Sequence, residues 1–261
     1  MNIKTSTYAF LFDLRQYEYL LQEKEKYSTL EERQRAEKYT SPGAERKILS
    51  YMIRRIVLSI LLDCDPLDIK YKYNKNGKPF DEEDRIFFNV SQRDNWLGLL
   101  LDFQDEVGVD IEIVKNIPKF NAFLSSYLSP KEKKIVIKQE GYMREYTAHA
   151  FWSMKESYLK AIGVGLSYDM KKIEFHSQFI EEKKSVFYTW IKDRVELDNA
   201  FSMQVVFKED DRVIYCFTKY NESYFEGRAD SNESLIDFCN PQLTKKDVFN
   251  HINKMIIKEG Q

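Results

Sequence analysis

The sequence predicts an α+β fold in which two similar units of mixed helix and strand follow one another along the chain. In the first unit, a helical pattern from Ala44 to Leu62 precedes apolar and alternating runs that are typical of strands, such as RIFFNV and WLGLLLDF. In the second unit, a helical pattern from Tyr142 to Ile162 again precedes strand-like runs, most clearly Ala200–Phe207 and Arg212–Tyr220. The repeated order of helix and strands favours two pseudo-symmetric lobes, although residue identity between the halves is low.

The first lobe, residues 1–105, opens with a strand pattern from Tyr8 to Phe12 and continues with an exposed, charged helix from Leu30 to Tyr39. The TSPG sequence at 40–43 ends this helix, because Pro and Gly interrupt helices. In the long helix that follows, apolar side chains recur at three- and four-residue spacing and form one stripe: Ile48, Leu49, Met52, Ile53, Ile56, Val57 and Ile60. The NKNGKP sequence, residues 74–79, predicts a turn between strands of this lobe.

The second lobe, residues 106–225, begins with the strand pattern VGVDIEIV, from Val107 to Val114, and two short helix patterns precede its long helix. Residues 226–261 are predicted to form an accessory tail. Thr244 and Asp247 can cap a final amphipathic helix in this tail.

Composition narrows the functional class of the protein. The 261 residues include 40 basic and 42 acidic side chains, and this balance argues against a general nucleic-acid binder because phosphate neutralisation needs a basic surplus. No run approaches the ~18 consecutive apolar residues of a membrane helix, and the N-terminus lacks a signal-peptide pattern. Cys64, Cys216 and Cys239 lack the spacing of zinc sites or disulfide frameworks. We therefore expect a cytoplasmic protein with reduced thiols and with no membrane or nucleic-acid partner.

The segment FWSMKESYLK, residues 151–160, places a Lys–Glu pair inside an aromatic helical run. On a helix, Lys155 is surrounded by apolar neighbours three and four positions away, so it lies along the buried stripe, whereas Glu156 falls at the edge of that stripe. Two interpretations of Lys155 remain open. It extends from an apolar wall to attract an anion, or it passes its aromatic neighbours and pairs with Glu112 or another acid.

The segment VGVDIEIV carries a second candidate site. In an extended strand, Asp110 and Glu112 project to one side and the apolar residues to the other. Taken alone, this alternation is the ordinary pattern of a strand with one solvated face. In combination with Glu156 it supplies three carboxylates, and such oxygen ligands suit Mg2+, which completes its shell with water and phosphate oxygens. The predicted metal ligands are therefore Asp110, Glu112 and Glu156.

The two segments together resemble the signature of the Sfp-type 4'-phosphopantetheinyl transferases. That signature is G-[VI]-D-x-E, followed after an intervening segment by [FW]-[ST]-x-K-E-[AS]-x-x-K. This chain matches the signature at Gly108, Asp110, Glu112, Trp152, Ser153, Lys155, Glu156, Ser157 and Lys160. The resemblance extends over roughly residues 8–220 and implies the fold of that family, two α+β lobes with coenzyme A bound in the cleft at the lobe interface.

The resemblance also implies which residues bind coenzyme A. Arg46 matches an arginine that binds the 3'-phosphate, and the NGKP turn puts Lys78 near the same phosphate. The segment FFNVSQRDNW is similar to the family's F-N-[ILV]-S-H-S-x-x-W, and this match adds Ser91. Here the chain has Gln92 and Arg93 in place of the family's His-Ser. A neutral amide binds phosphate more weakly than an imidazolium, so we expect the Gln92 contact to persist in weaker form, with Arg93 able to supply the lost charge.

Members of this family move the phosphopantetheine arm of coenzyme A to a serine of an acyl- or peptidyl-carrier protein and release adenosine 3',5'-bisphosphate. The resemblance implies the same function here, with Mg2+ held by Asp110, Glu112 and Glu156. It further implies that Asp110, Lys155 and Lys160 contact coenzyme A, because charge neutralisation dominates such phosphoryl-type reactions. Glu156, or a water oriented by Glu112, is the candidate base for the serine proton, and Lys160 completes the predicted catalytic set.

Two alternative functions remain open. The same acids would serve an Mg2+-dependent hydrolase of the pyrophosphate or phosphodiester of coenzyme A, and the Gln92–Arg93 departure suggests a non-catalytic binder of coenzyme A or of carrier proteins.

For a carrier partner, the segment 115–128 offers a basic rim and apolar anchors, although its phenylalanines could equally pack into the lobe. A monomer is expected, because the paired lobes complete the cleft. His149 is expected to be a surface or packing residue.

Overall fold

The computed structural model of the protein describes residues 8–175, 186–191, 201–208 and 212–220. The predicted accessory tail, residues 226–261, lies outside the described residues, and so does Cys239. None of the helices in these ranges combines the length and the hydropathy that are needed to cross a membrane.

The first half of the described chain follows the predicted order of elements. A 3₁₀ helix, Leu14–Glu23, joins the first strand to the first helix and was not predicted from the sequence. The other elements are β1 (Tyr8–Asp13), α1 (Lys24–Tyr27), α2 (Leu30–Ala36), α3 (Gly43–Leu62), β2 (Tyr71–Tyr73), β3 (Pro79–Asp81), β4 (Phe87–Arg93) and β5 (Trp96–Asp102).

The long helix α3 packs against an antiparallel sheet of order β1-β5-β4. The apolar stripe predicted for this helix is buried, and Met52 and Ile53 are completely shielded from solvent. These side chains form one core with Phe10 and Phe12 of β1. Burying side chains of this size stabilises the fold by roughly 1.5–3 kcal/mol each.

The second half repeats this arrangement with a larger sheet. Its strands form an antiparallel sheet of order β6-β9-β8-β7, and a second apolar core surrounds its long helix. Another 3₁₀ turn, Met170–Lys172, follows that helix. The elements are β6 (Val107–Ile113), α4 (Phe120–Tyr127), α5 (Pro130–Ile137), α6 (Gly141–Ile162), β7 (Val186–Ile191), β8 (Phe201–Lys208) and β9 (Val213–Tyr220).

Helix α6 packs directly on β6 because Gly108 leaves room for its backbone. A Cβ atom at this position would lie 2.0 Å from the carbonyl oxygen of Ser157. Ser157 Oγ also donates a hydrogen bond of 2.9 Å to the Gly108 carbonyl oxygen. Because side chains alternate along a strand, Asp110 and Glu112 project to the same side of β6 as position 108, toward α6.

Strands β4 and β6 connect the two sheets through side chains. Asn89 Oδ1 accepts a hydrogen bond of 2.9 Å from the N–H of Val109, and Ser91 Oγ accepts one of 3.2 Å from the N–H of Ile111. These contacts hold the predicted acids of β6 beside the end of β4. The predicted α+β class is confirmed, whereas the lobe boundaries at residues 105 and 225 stay predictions.

Candidate active site at the junction of the two sheets

A cleft of about 480 Å³ opens where the two halves of the chain meet. Three residues predicted from the sequence, Lys78, Glu156 and Lys160, line this one cavity. The first half contributes the NGKP turn and part of β4, and the second half contributes the end of α6 and the loop after it. The full lining consists of Asn76, Gly77, Lys78, Pro79, Asn89, Val90, Glu156, Leu159, Lys160, Gly163, Gly165, Leu166 and Ser167.

Lys160 joins the end of α6 to the first strand acid. Its Nζ lies 2.5 Å from Asp110 Oδ1 and 3.1 Å from Ser91 Oγ, and Ser91 Oγ lies 3.2 Å from the same Asp110 oxygen. The Lys160 side chain keeps 29% of its exposure, so the ammonium group reaches the cleft while it contacts the acid. The structure therefore brings together Ser91, Asp110 and Lys160, three of the residues predicted to bind coenzyme A, and their contacts with it stay predictions.

The second oxygen of Asp110 has no hydrogen-bond partner among the described residues. Asp110 is 4% exposed, and its Oδ2 atom is buried without a donor. A buried carboxylate oxygen is costly unless water or a cation satisfies it. This orphaned oxygen fits the predicted role of Asp110 as a ligand of a divalent cation.

Glu112, the second strand acid, is paired with Arg93 at the end of β4. Arg93 Nη2 lies 2.6 Å from both carboxylate oxygens of Glu112, and Arg93 Nε lies 3.2 Å from Oε2. Burial raises the pKa of Glu112, the hydrogen bond from Arg93 acts in the opposite direction, and the charge of Asp110 adds to the increase. Arg93 therefore binds an acid of the protein, contrary to the expectation that it supplies charge to a phosphate.

Glu156 approaches the same acids from α6. Burial raises the pKa of Glu156 to about 7, Lys160 acts in the opposite direction, and Asp110 and Glu112 add to the increase. A carboxyl group that titrates near neutral pH can bind a cation when it is ionised, or accept a proton.

The three acids are close enough to influence one another, but they do not form a completed metal site. Within the described ranges, no group of three or more His, Cys, Asp or Glu side chains is arranged to hold a metal ion. Lys160 and Arg93 instead occupy oxygens of Asp110 and Glu112. The donor chemistry fits Mg2+, because the groups are carboxylates and Asp110 Oδ2 is unpaired. The set of three ligands stays a prediction.

Lys155 does not reach the cleft, and its predicted contact with coenzyme A is wrong. The side chain is fully buried, and Nζ lies 2.6 Å from Glu132 Oε2. Nζ also donates to three carbonyl oxygens at 2.8–2.9 Å, those of Tyr127, Met170 and Ile173. Burial lowers the pKa of Lys155, although Glu132 acts in the opposite direction. An ammonium group that is committed to internal acceptors cannot bind a substrate, so the alternative of pairing with another acid holds.

Of the remaining residues predicted to bind coenzyme A, Lys78 lines the cleft, whereas Arg46 and Gln92 do not. Lys78 spans the junction, because its Nζ donates to Glu106 Oε2 at 2.7 Å and to the carbonyl oxygen of Ala161 at 3.1 Å. Arg46 lies in the first turn of α3 and Gln92 lies on β4, and neither lines the cleft. Their contacts with coenzyme A stay predictions.

The loop after α6 is a part of the cleft that the sequence analysis missed. The carbonyl oxygen of Gly163 accepts hydrogen bonds from Nδ2 of Asn74 at 3.0 Å and of Asn76 at 2.8 Å. Gly163 has a φ of +71°, a left-handed conformation that glycine adopts without strain. The closely spaced glycines of GVGLS, residues 163–167, are the sequence signal that could have indicated this loop.

His149 and the segment 115–128 surround the site on the second half of the chain. His149 is buried, its Nε2 lies 3.1 Å from the Lys115 carbonyl oxygen, and burial lowers its pKa. It is therefore a packing residue.

In the segment 115–128, Phe120 and Phe123 pack against the second core, whereas Lys115 and Lys119 are exposed. A carrier-binding surface on this segment stays a prediction.

Comparison with known proteins agrees with the two sequence motifs. A profile described as the 4'-phosphopantetheinyl transferase superfamily matches residues 106–210. The phosphopantetheinyl transferase of Thraustochytrium sp. is 26% identical over 195 residues, which cover 68% of this chain and 64% of that protein. The 4'-phosphopantetheinyl transferase Sfp of Bacillus subtilis is 32% identical over 131 residues, which cover 49% of this chain and 57% of that protein. The chain spans less than two thirds of the length of these curated relatives.

Among solved structures, a holo-(acyl-carrier-protein) synthase from Bacillus anthracis in complex with CoA (3',5'-ADP) is 15% identical, with a TM-score of 0.36, and covers 44% of this chain and 94% of that chain. A likeness at this TM-score carries no argument. The profile and the sequence relatives, by contrast, confirm the resemblance: residues 106–210 of this chain match the 4'-phosphopantetheinyl transferase superfamily.

Proposed function

We propose that the protein transfers the 4'-phosphopantetheine arm of coenzyme A to a serine hydroxyl of an acyl- or peptidyl-carrier protein and releases adenosine 3',5'-bisphosphate. The observation that carries this proposal is the cleft in which Lys78, Glu156 and Lys160 meet beside the unpaired oxygen of Asp110. The names of the matching profile and of the curated relatives support the same activity.

The proposed reaction is a displacement at phosphorus. The serine oxygen forms a bond to the phosphorus that bears pantetheine, and the bond from that phosphorus to the bridging oxygen of the pyrophosphate breaks. The bridging oxygen takes the electron pair and leaves as part of adenosine 3',5'-bisphosphate. The site must therefore accept the serine proton and neutralise negative charge on the leaving group.

Two lysines of the cleft can supply positive charge to the pyrophosphate. Lys160 contacts Asp110 and Ser91, and these two contacts leave one of its three N–H donors for a phosphate oxygen. Lys78 pairs with Glu106, whose side chain is 54% exposed. The Lys78 side chain is 13% exposed, but its acid partner can turn into solvent, so a phosphate oxygen can take the place of Glu106.

Glu156 is the proposed acceptor of the serine proton. In the cation-free site its pKa of about 7 makes protonated and ionised forms comparable in amount near neutral pH, and with a cation bound to one of its oxygens the other oxygen can accept the proton. When bound, Mg2+ would neutralise pyrophosphate charge, with oxygen ligands drawn from the cluster of Asp110, Glu112 and Glu156.

With this function we propose a cytoplasmic monomer that binds carrier domains through the exposed lysines of segment 115–128. Both walls of the cleft come from one chain, which supports the monomer. Cys64 and Cys216 are free thiols, which is compatible with a reducing compartment.

The test of this function is a carrier-modification assay. The protein is incubated with coenzyme A, Mg2+ and an apo carrier domain, and the carrier is weighed by mass spectrometry. We expect the carrier to gain the mass of one phosphopantetheine arm. Loss of coenzyme A without a mass gain would indicate the hydrolase instead, and no change in either would indicate the non-catalytic binder.

A pair of lysine variants sharpens this test. Lys160→Met is expected to lower the transfer rate about 10²–10³-fold, since it removes a fixed donor to the developing charge. Lys171→Met is the matched control, because Lys171 is exposed on the turn after α6 and lies outside the cleft lining. Equal rates for wild type and Lys160→Met would contradict the role assigned to Lys160.

A further inference from the structure

Among the three candidate ligands, Asp110, Glu112 and Glu156, Glu112 is the one that forms an ion pair with Arg93. Arg93 Nη2 contacts both oxygens of Glu112 at 2.6 Å, so both oxygens are engaged. The Glu112 and Asp110 side chains are equally buried, at 6% exposure, so the two strand acids differ in their partners and not in their access to solvent. The proposed transfer does not by itself require this pair.

Asp110 and Glu156 differ from Glu112 in having oxygens available to a cation. Asp110 Oδ2 is buried and has no donor within the described part of the chain. Glu156 lines the cleft, so its carboxylate is accessible to a cation there. A cation that enters the cleft therefore meets Glu156 first, and of the two strand acids Asp110 is the one that offers an unpaired oxygen among the described residues.

Direct binding of a cation by Glu112 would require its contacts with Arg93 to break. Charge-assisted contacts from one guanidinium to both oxygens are strong, and the Glu112 carboxylate, whose side chain is 6% exposed, has little access to water that could replace them. The backbone of Arg93 is fixed at the end of β4 by its pairing with Trp96, so a released guanidinium stays within one side-chain length of this site. It would then repel the incoming cation from a short distance.

We propose that Arg93 is a built-in counter-ion for Glu112, so that a divalent cation binds directly through Asp110 and Glu156 and not through Glu112. This proposal rests on the proposed function, which requires the cation. It deepens that function because it makes Asp110 and Glu156 the ligands and leaves Glu112 as a neighbour paired with Arg93. Arg93 stands where the resembling family has a serine, so this division is a property of the present chain.

The decisive experiment removes the ion pair as a unit. Mn2+ binding is measured by isothermal titration calorimetry, without coenzyme A or carrier, for wild type, Asp110→Asn and the double variant Arg93→Met/Glu112→Gln. The double variant removes one positive and one negative charge, so we expect its Kd to stay within about threefold of wild type. Asp110→Asn is expected to weaken binding by about tenfold or more, equal to about 1.4 kcal/mol at 25 °C.

Two further variants control this experiment. Arg93→Met alone is expected to tighten Mn2+ binding, because it frees Glu112 and removes a repelling charge. Arg85→Met is the matched control, since Arg85 forms a similar pair with buried Asp81 away from the cleft, and it should leave the Kd unchanged. Each variant is checked for a native circular-dichroism spectrum, and the wild type, Asp110→Asn and the double variant decide the question if Arg93→Met does not fold.

The inference is overturned if the double variant loses as much affinity as Asp110→Asn, because Glu112 would then be a direct ligand. It is also overturned if the wild-type protein binds no Mn2+. Neither result depends on transfer activity, so a carrier that gains the arm while the titrations fail would leave the proposed function intact.

Discussion

The two halves of the molecule use the same buried ion pair to attach a short helix to a long one. In the first half, Glu32 completes a capping box with Thr29 at the start of α2, and Glu32 Oε2 accepts a hydrogen bond of 2.7 Å from Arg55 of α3. In the second half, Glu132 completes a capping box with Ser129 at the start of α5, and Lys155 of α6 contacts it at 2.6 Å. Both pairs are separated by 23 residues.

The second set of contacts made by each cation is also equivalent. Arg55 donates to the carbonyl oxygens of Pro66 and Ile69, and Lys155 donates to those of Met170 and Ile173. In both cases the acceptors lie three positions apart in the segment that follows the long helix. This equivalence supports the predicted pseudo-symmetry of the lobes more strongly than residue identity does.

The halves differ where the first strand of each faces its long helix. Phe10 and Phe12 of β1 belong to the apolar core, whereas Asp110 and Glu112 of β6 face Lys160 and Arg93. The comparison shows that the same arrangement of helix and sheet accepts an apolar first strand in one half and an acidic first strand in the other. The buried pair attaches the helices in both halves, whereas the candidate site acids Asp110, Glu112 and Glu156 belong to the second half.

The largest expected effect is on stability and concerns Lys155. Lys155→Met leaves the carboxylate of Glu132 buried without its counter-ion, and loss of one partner of such a pair costs about 3–5 kcal/mol. Urea unfolding followed by circular dichroism measures this loss. The double variant Lys155→Met/Glu132→Gln should recover part of it, and a single variant as stable as wild type would show that the pair does not support the lobe.

The equivalent change in the first half tests whether the two pairs contribute equally. Arg55→Met should destabilise the protein by about 3 kcal/mol or less, because Arg54 remains 2.8 Å from the other oxygen of Glu32. The same urea titration applies. A loss larger than that of Lys155→Met would contradict the idea that Arg54 compensates.

A change in the packing of α6 on β6 is expected to lower stability by a smaller amount. Gly108→Ala places a methyl group against the Ser157 carbonyl, and α6 must shift away from β6, at a cost of about 1–3 kcal/mol. Because the shift also moves Lys160 from Asp110, the transfer rate should fall with the melting temperature. Gly43→Ala is the control, since the nearest atom lies at an ordinary distance of 3.6 Å.

The last expected effect is the pH dependence of stability caused by Glu156, whose pKa rises from 4.5 to about 7 on folding. Below pH 4.5 Glu156 is protonated in both the folded and the unfolded state, so it does not change the free energy of unfolding. Between 4.5 and 7 only the unfolded state releases the proton, so stability falls as pH rises, and above 7 the penalty is constant.

Glu156→Gln should remove this slope and raise the melting temperature relative to wild type above pH 7. Differential scanning fluorimetry of both proteins from pH 4.5 to 8 measures the difference, in which contributions of unchanged groups cancel. Parallel curves would show that Glu156 titrates as an ordinary surface carboxyl group.

Much of the site could be predicted from two short motifs, because Asp110, Glu156 and Lys160 belong to segments whose periodicity sets their faces. The pairing of Arg93 with Glu112 could not be predicted, since it depends on the alignment of β4 beside β6 through Asn89 and Ser91. The role of Lys155 was equally inaccessible. Its apolar surroundings on the helix are the same whether it binds an anion or an internal acid.

The sequence by itself determined the α+β class, the two long amphipathic helices and the set of acids and lysines, because these follow from periodicity and residue chemistry within single segments. Only the tertiary structure decided which lysine reaches the cleft and which acid already has a counter-ion. The physical reason is that the partners of a buried charge come from distant segments, and the strength of each interaction depends on distances that no local pattern contains.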